Sequence, residues 1–152
     1  MSELLKFYRD EANASGYTWA EVIAWEDGEL EAVHDFIQWL FPTDERSRFN
    51  PDAPVLDAED LIVFREPFFQ ERLRKSAERF RLFYKLGTPA TVSKPWAMPF
   101  NHNLLRITRI IRSLALLGLP DVASQFRDDA KTAARATQFP LEGSISFWDR
   151  AV

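Results

Sequence analysis

Apolar and polar residues alternate along this chain with a helical period almost throughout. Apolar positions recur at i, i+3, i+4 and i+7, and β-branched runs of period two are scarce. With only 5 Gly to interrupt it, the pattern predicts an all-α helical bundle of about six to eight helices with two long Pro-rich loops. A first helix is expected over residues 2–14. A second starts after Thr18, where Thr18 and Glu21 have the spacing of a capping box. Asp27 can cap a third helix that reaches Phe41 and is stopped by Pro42. Residues 42–57, with Pro42, Pro51 and Pro54, form the first long loop, after which Asp57 caps a short helix. Pro67 sits in the first turn of a longer helix expected to end at Leu86, with Gly87 beyond it. Phe69, Leu73, Ala77, Phe80 and Tyr84 make its apolar face. Residues 87–101 form the second loop. Helices then follow over 101–117, closed by Gly118 and Pro120, over 120–137, and from Ser144 to the C-terminus. No repeat, low-complexity tract or linker intervenes, so residues 1–152 read as a single domain.

Two of these helices carry polar stripes. With His34 at zero on the third helix, Gln38 falls near roughly 40°, Glu31 near about 60° and Asp35 near about 100°, opposite Val33, Phe36, Ile37 and Leu40. Glu31, His34, Asp35 and Gln38 therefore form one stripe with an acidic bias. With His102 at zero on the later helix, Arg106 falls near roughly 40°, Ser113 near about 20° and Arg109 near about −20°. Ile107, Ile110, Ile111 and Leu114 lie to one side, and Leu105 and Leu116 to the other. A basic stripe framed by apolar residues on both sides points into a partly buried place, where a guanidinium needs a partner. That partner is either an internal carboxylate, Glu31 or Asp35, or an anionic ligand. In the first case the stripes fix how the helices cross. In the second they wall a pocket for a zwitterion, whose amine meets Asp35 and whose carboxylate meets Arg106 or Arg109. Long loops in compact proteins often serve function. Trp96, Met98 and Phe100 on the second loop are suited to a lid, or to covering core between helices.

Composition narrows the chemistry. At 46 % hydrophobic residues, 152 residues can bury a proper core. The net charge of −4 argues against nucleic acid, which needs a concentrated basic face. The absence of cysteine excludes disulfides and thiolate chemistry, and it suits a reducing, cytoplasmic setting. The first eleven residues are charged and lack the apolar region of a signal peptide. The most apolar stretch, residues 107–119, is interrupted by Arg109 and Arg112 and falls short of a membrane span. A metal site would have to use His34, His102 and Asp35 without any HExxH spacing, so neither metal nor cofactor is expected. No GxSxG elbow and no glycine-rich phosphate loop is present. The leading reading is a non-enzymatic binder of a short peptide or zwitterion. The alternatives are an interaction module without a pocket, and an enzyme using His34, Asp35 and His102 as acid and base groups.

Four segments carry a family resemblance. HDFIQWLFP at residues 34–42 is similar to the HxYIQWLFP signature of the opioid growth factor receptor family, with Asp35 and Phe36 in place of the more usual GY. NPDAP at 50–54 follows at the expected distance, and RLFYKLG at 81–87 resembles the family's segment ending in FYG. HNLLRITRIIRSLALLGL at 102–119 is similar to its HNxLRITRIL stretch. The resemblance is strongest over residues 25–126. It implies a helical domain and, as in the animal members, a receptor for the peptide methionine enkephalin that restrains cell proliferation. Those members carry long additional regions and associate with the nuclear envelope. A chain ending after the globular part fits a compact microbial relative.

Overall fold

The computed structural model describes residues 1–152. It contains nine helices and no strand: α1 (Glu3–Tyr8), α2 (Trp19–Ala24), α3 (Asp27–Ala32), α4 (Ile37–Leu40), α5 (Ala58–Val63), α6 (Pro67–Phe83), α7 (Asn103–Leu116), α8 (Pro120–Arg135) and α9 (Glu142–Ala151). The chain is all-α as its periodicity predicts, and the ninth helix arises because the expected third helix is two. The residues group into two compact units, Met1–Ser76 and Ala77–Val152, with the boundary inside α6.

Several helices end where backbone groups find partners rather than where the apolar pattern runs out. α1 stops six residues short of its expected end. Asp10 turns to φ 65, and the amides of Asp10 and Glu11 close on the carbonyls of Phe7 and Lys6, each at 3.0 Å. This is a Schellman closure with an aspartate in the left-handed position that glycine usually fills. α6 ends the same way at Lys85 (φ 55), with Leu86 N–H on the Arg81 carbonyl at 2.9 Å, two residues before the Gly87 that the sequence suggests as its stop. Only at α7 is the left-handed residue a glycine, Gly118. The starts follow the sequence more closely. Thr18 and Glu21 cap α2 reciprocally, Asp57 and Asp60 do so for α5, and Pro120 opens α8. α9 begins at Glu142, so Ser144 lies inside it rather than capping it.

In the first unit, α1 packs on α4, with the Phe7 and Trp39 rings 5.8 Å apart. Tyr8 is fully buried. Its hydroxyl donates to the Leu40 carbonyl at the end of α4 and lies 3.2 Å from Ser76 Oγ, which also accepts from Trp19 Nε1 at 3.0 Å. Because the Tyr8 proton goes to Leu40, Ser76 donates to Tyr8, and each of these buried groups is satisfied. Ser2 caps α1 and donates to the buried Asp60 of α5 at 2.5 Å.

In the second unit, α7 packs on both α8 and α9. Ile107, Ile110, Ile111 and Leu114 are entirely buried along the face that the helical projection assigns to the core. Trp148 of α9 is fully enclosed and donates from Nε1 to the Leu104 carbonyl at 3.1 Å. Tyr84 stacks edge-on against Trp96 at 5.6 Å, and Trp96 lies 6.4 Å from Trp148. Arg81 reaches Asp129 of α8 at 2.7 Å.

Candidate functional site

The acidic stripe does not survive as a stripe. α3 ends at Ala32, and Val33 takes an extended conformation (φ −87, ψ 131). His34 and Asp35 therefore lie in a break between two helices, and the helical projection that aligned Glu31, His34, Asp35 and Gln38 does not apply across it. Beyond the break Phe36 is fully buried, with its ring 5.3 Å from Trp25 in an edge-to-face contact. Gln38, on α4, is buried, with Nε2 at 3.5 Å from Ser47 Oγ and no hydrogen bond to its Oε1. Glu31 remains on α3 and His34 is exposed.

Asp35 is half-buried and has partners that the sequence reading missed. It accepts a hydrogen bond from Ser15 Oγ at 2.8 Å. The Tyr17 phenol is held above its ordinary range, first by partial desolvation and then by the charge of Asp35 and a hydrogen bond to it. Both hydroxyls come from a tight loop. The Asn13 side-chain oxygen accepts from the amides of Ser15 and Tyr17, each at 3.0 Å, while Gly16 adopts φ 85. An Asn followed three residues later by Gly is the turn signal that marks this loop, hidden by the apolar pattern extended through residue 14.

The basic stripe is intact, because α7 is a continuous helix. Arg106 is buried at 6 % exposure and Ser113 at 0 %. The Ser113 hydroxyl, two turns along the same strip, makes no hydrogen bond. Arg109 is largely enclosed, and burial lowers its pKa to about 10, so the guanidinium is still a cation at neutral pH but in a setting that strengthens its pull on an anion. One expected feature differs. Leu105, on the flank of the stripe, is 57 % exposed, so the frame is core on one side and partly solvent on the other. His102 stands exposed at the start of the helix, while Asn101 Oδ1 accepts from the Asn103 amide at 2.9 Å and Asn103 Oδ1 from the Tyr84 hydroxyl at 2.9 Å. None of Glu31, His34, His102, Arg106 or Arg109 is without a partner.

The three loop residues separate. Trp96 is buried, with Nε1 donating to the Tyr84 carbonyl at 2.9 Å, so it anchors the loop. Met98 and Phe100 are exposed. No three His, Asp or Glu side chains converge in a way that would hold a metal ion.

These features define an all-α protein with a buried basic strip on one helix, a hydroxyl-supported carboxylate at a helix break, and no helix long and apolar enough to cross a membrane. Residues 2–90 match the opioid growth factor receptor (OGFr) conserved region, more than half of the chain, and the chain belongs to that family. It is 35 % identical over 133 residues to the human opioid growth factor receptor, covering 76 % of this chain and 20 % of that protein. The mouse receptor is 33 % identical, with 76 % and 21 % covered, and the rat receptor 34 %, with 76 % and 23 % covered. The chain thus spans about a fifth of the length of these relatives. No solved structure matches it. The 34–42 motif falls within the matched residues, whereas the 102–119 stretch that forms α7 lies beyond them.

Proposed function

We propose that this chain is a non-enzymatic binding domain for the carboxylate-bearing end of a short peptide or a similar zwitterion. The observation that carries the reading is the strip on α7, where a buried Arg106, a desolvated Arg109 and an unsatisfied Ser113 hydroxyl share one face. Guanidinium groups out of water bind carboxylates with paired, directional hydrogen bonds. The relatives' printed name, a receptor for an opioid growth factor, supports a peptide as the ligand. Asp35, supported by Ser15 and Tyr17, is a separate candidate, for an ammonium group.

Titration calorimetry with methionine enkephalin, its C-terminal amide and its N-acetyl form tests the reading. Heat is expected with the free C-terminus and not with the amide, and Arg109→Gln should abolish it. Absence of heat with every one of these peptides removes the proposal. Asp35 is tested on its own: Asp35→Asn should erase any preference for a free over an acetylated N-terminus.

A second reading gives the same arginines an architectural role, and it is favoured by the fact that neither residue is without a partner in the fold. It expects Arg109→Gln to lower the unfolding midpoint strongly, with no peptide dependence in either form.

A further inference from the structure

We propose that Tyr17, Trp25 and Asp35 form a binding site for a quaternary ammonium group. The proposal rests on the ammonium role given to Asp35 above and is independent of the α7 strip. Three connectors of the first unit meet at this point. Tyr17 precedes α2, Trp25 closes α2, and Asp35 lies in the break between α3 and α4. Their contacts form a closed circuit. The Tyr17 and Trp25 rings lie 4.9 Å apart at 82°. Trp25 meets Phe36 at 5.3 Å and 83°. Phe36 follows Asp35 in the chain, and Asp35 accepts a hydrogen bond from the Tyr17 hydroxyl. Phe36 is fully buried beneath the cluster. Tyr17, Trp25 and Asp35 are each only half-buried, so two perpendicular rings and a carboxylate reach the surface side by side.

The carboxylate has no cation in the fold. Its partners are two hydroxyls, Ser15 at 2.8 Å and Tyr17. No lysine or arginine stands in the sequence between Arg9 and Arg46. A carboxylate partly out of water and without a counter-charge attracts an arriving cation more strongly than one in bulk water. The site is also built in advance. Asn13 Oδ1 holds the amides of Ser15 and Tyr17, each at 3.0 Å, which fixes the loop that carries both hydroxyls. Such pre-organisation lowers the ordering cost of binding.

The neighbours of the charge select the kind of cation. Ser15 and Tyr17 already occupy acceptor positions on Asp35. A primary ammonium brings three N–H donors, and aromatic rings are poor acceptors for them. A quaternary ammonium has no N–H to satisfy. It needs only a nearby negative charge and aromatic surface, and Trp and Tyr are the stronger rings for such a contact. A carboxylate that served only to tie the 13–17 loop to the helix break would need the hydroxyls but neither ring.

The test titrates the full chain with choline, with a short peptide carrying trimethyllysine, with ethanolamine, and with dimethylbutanol, the uncharged carbon isostere of choline. Binding is read from the indole resonance of Trp25 in nitrogen-15 spectra. Choline and the peptide are expected to shift it saturably, and the tighter of the two tells whether the group arrives free or on a protein. Ethanolamine should bind at least about fivefold more weakly, and dimethylbutanol not at all. Asp35→Asn and Tyr17→Leu should each weaken choline binding by about fivefold or more, and Tyr17→Phe, which restores the ring, should recover most of the second loss. The other indole resonances report whether each variant keeps its fold. No saturable shift with either quaternary probe overturns the proposal. So does equal binding of dimethylbutanol, or binding that Tyr17→Leu leaves unchanged in a folded chain. Equal binding of ethanolamine overturns the quaternary preference while leaving the ammonium role of Asp35 in place. None of these outcomes touches the Arg106–Ser113 strip, so failure here is distinguishable from failure of the carboxylate reading.

Discussion

The Ser15 hydroxyl donates to the Asp35 carboxylate over 2.8 Å, and this contact shows what the break between α3 and α4 accomplishes. Had residues 27–41 formed one helix, Asp35 would stand on its polar stripe beside His34 and Gln38. Leaving the helix at Val33 instead brings the carboxylate to the 13–17 loop, while Phe36 stays on the core side that the helical projection also gives it.

Asp35→Asn should lower the titration midpoint of Tyr17. Its phenol is held above the ordinary value by desolvation first, and then by the Asp35 charge and hydrogen bond. Removing the charge leaves only desolvation, so the midpoint falls toward the ordinary value without reaching it. Carbon-13 tyrosine resonances followed against pH resolve this residue, and an unchanged midpoint would refute the contact.

Alkali should destabilise the fold through Tyr8. Burial raises its pKa above the ordinary value, outweighing the hydrogen bond to Ser76 and the charge of Arg72. The folded state keeps the phenol proton while the unfolded chain releases it above about pH 10. The unfolded state then binds fewer protons, so stability is intact below that pH and falls as pH rises beyond it. The unfolding free energy from urea titrations in this range should decline less steeply in Tyr8→Phe, by up to about 1.4 kcal/mol per pH unit.

Arg72 lies over the Trp19 ring at 4.3 Å and the Phe68 ring at 4.9 Å, pairs with Asp10 at 2.8 Å and donates to the Tyr8 carbonyl at 3.0 Å. Only a planar guanidinium can stack and donate at once. Arg72→Lys keeps the charge but should cost about 1–2 kcal/mol in urea unfolding with an unaltered slope. A loss under a few tenths of that would show the charge alone matters.

Two glycines should respond to alanine with opposite signs. Gly143 lies inside α9 with open space around a would-be Cβ, so Gly143→Ala should stabilise by about 0.5–1 kcal/mol. Gly87 has φ +77, where alanine is strained although its Cβ would meet Arg81 only at 3.5 Å. Gly87→Ala should destabilise by about 1 kcal/mol. Thermal melts of the two variants moving in the same direction would contradict the backbone assignment.

Much of the second unit was legible in its residues. The period of α7 foretold which isoleucines are buried and which arginines share a strip, because an uninterrupted helix carries its geometry in its spacing. The candidate residues of the first unit were less legible. Nothing near Val33 resembles a helix stop: no proline or glycine stands between Glu29 and Phe41, and the apolar spacing continues across it. Asp10 and Lys85 end their helices in a conformation that the sequence would assign to glycine.

The sequence by itself determined the all-α class, the capped starts of α2 and α5, the proline-opened α6 and α8, and membership of the opioid growth factor receptor family. These rest on caps, prolines and periodic spacing, which act over a few neighbouring residues, and on motifs preserved as strings. Tertiary structure alone decided the break at Val33, the meeting of Asp35 with Ser15 and Tyr17, and the Tyr8 bond to Leu40 across 32 positions. There the satisfaction of polar groups distant in sequence outweighs one more turn of helix. Interactions of that range leave no periodic trace along the chain.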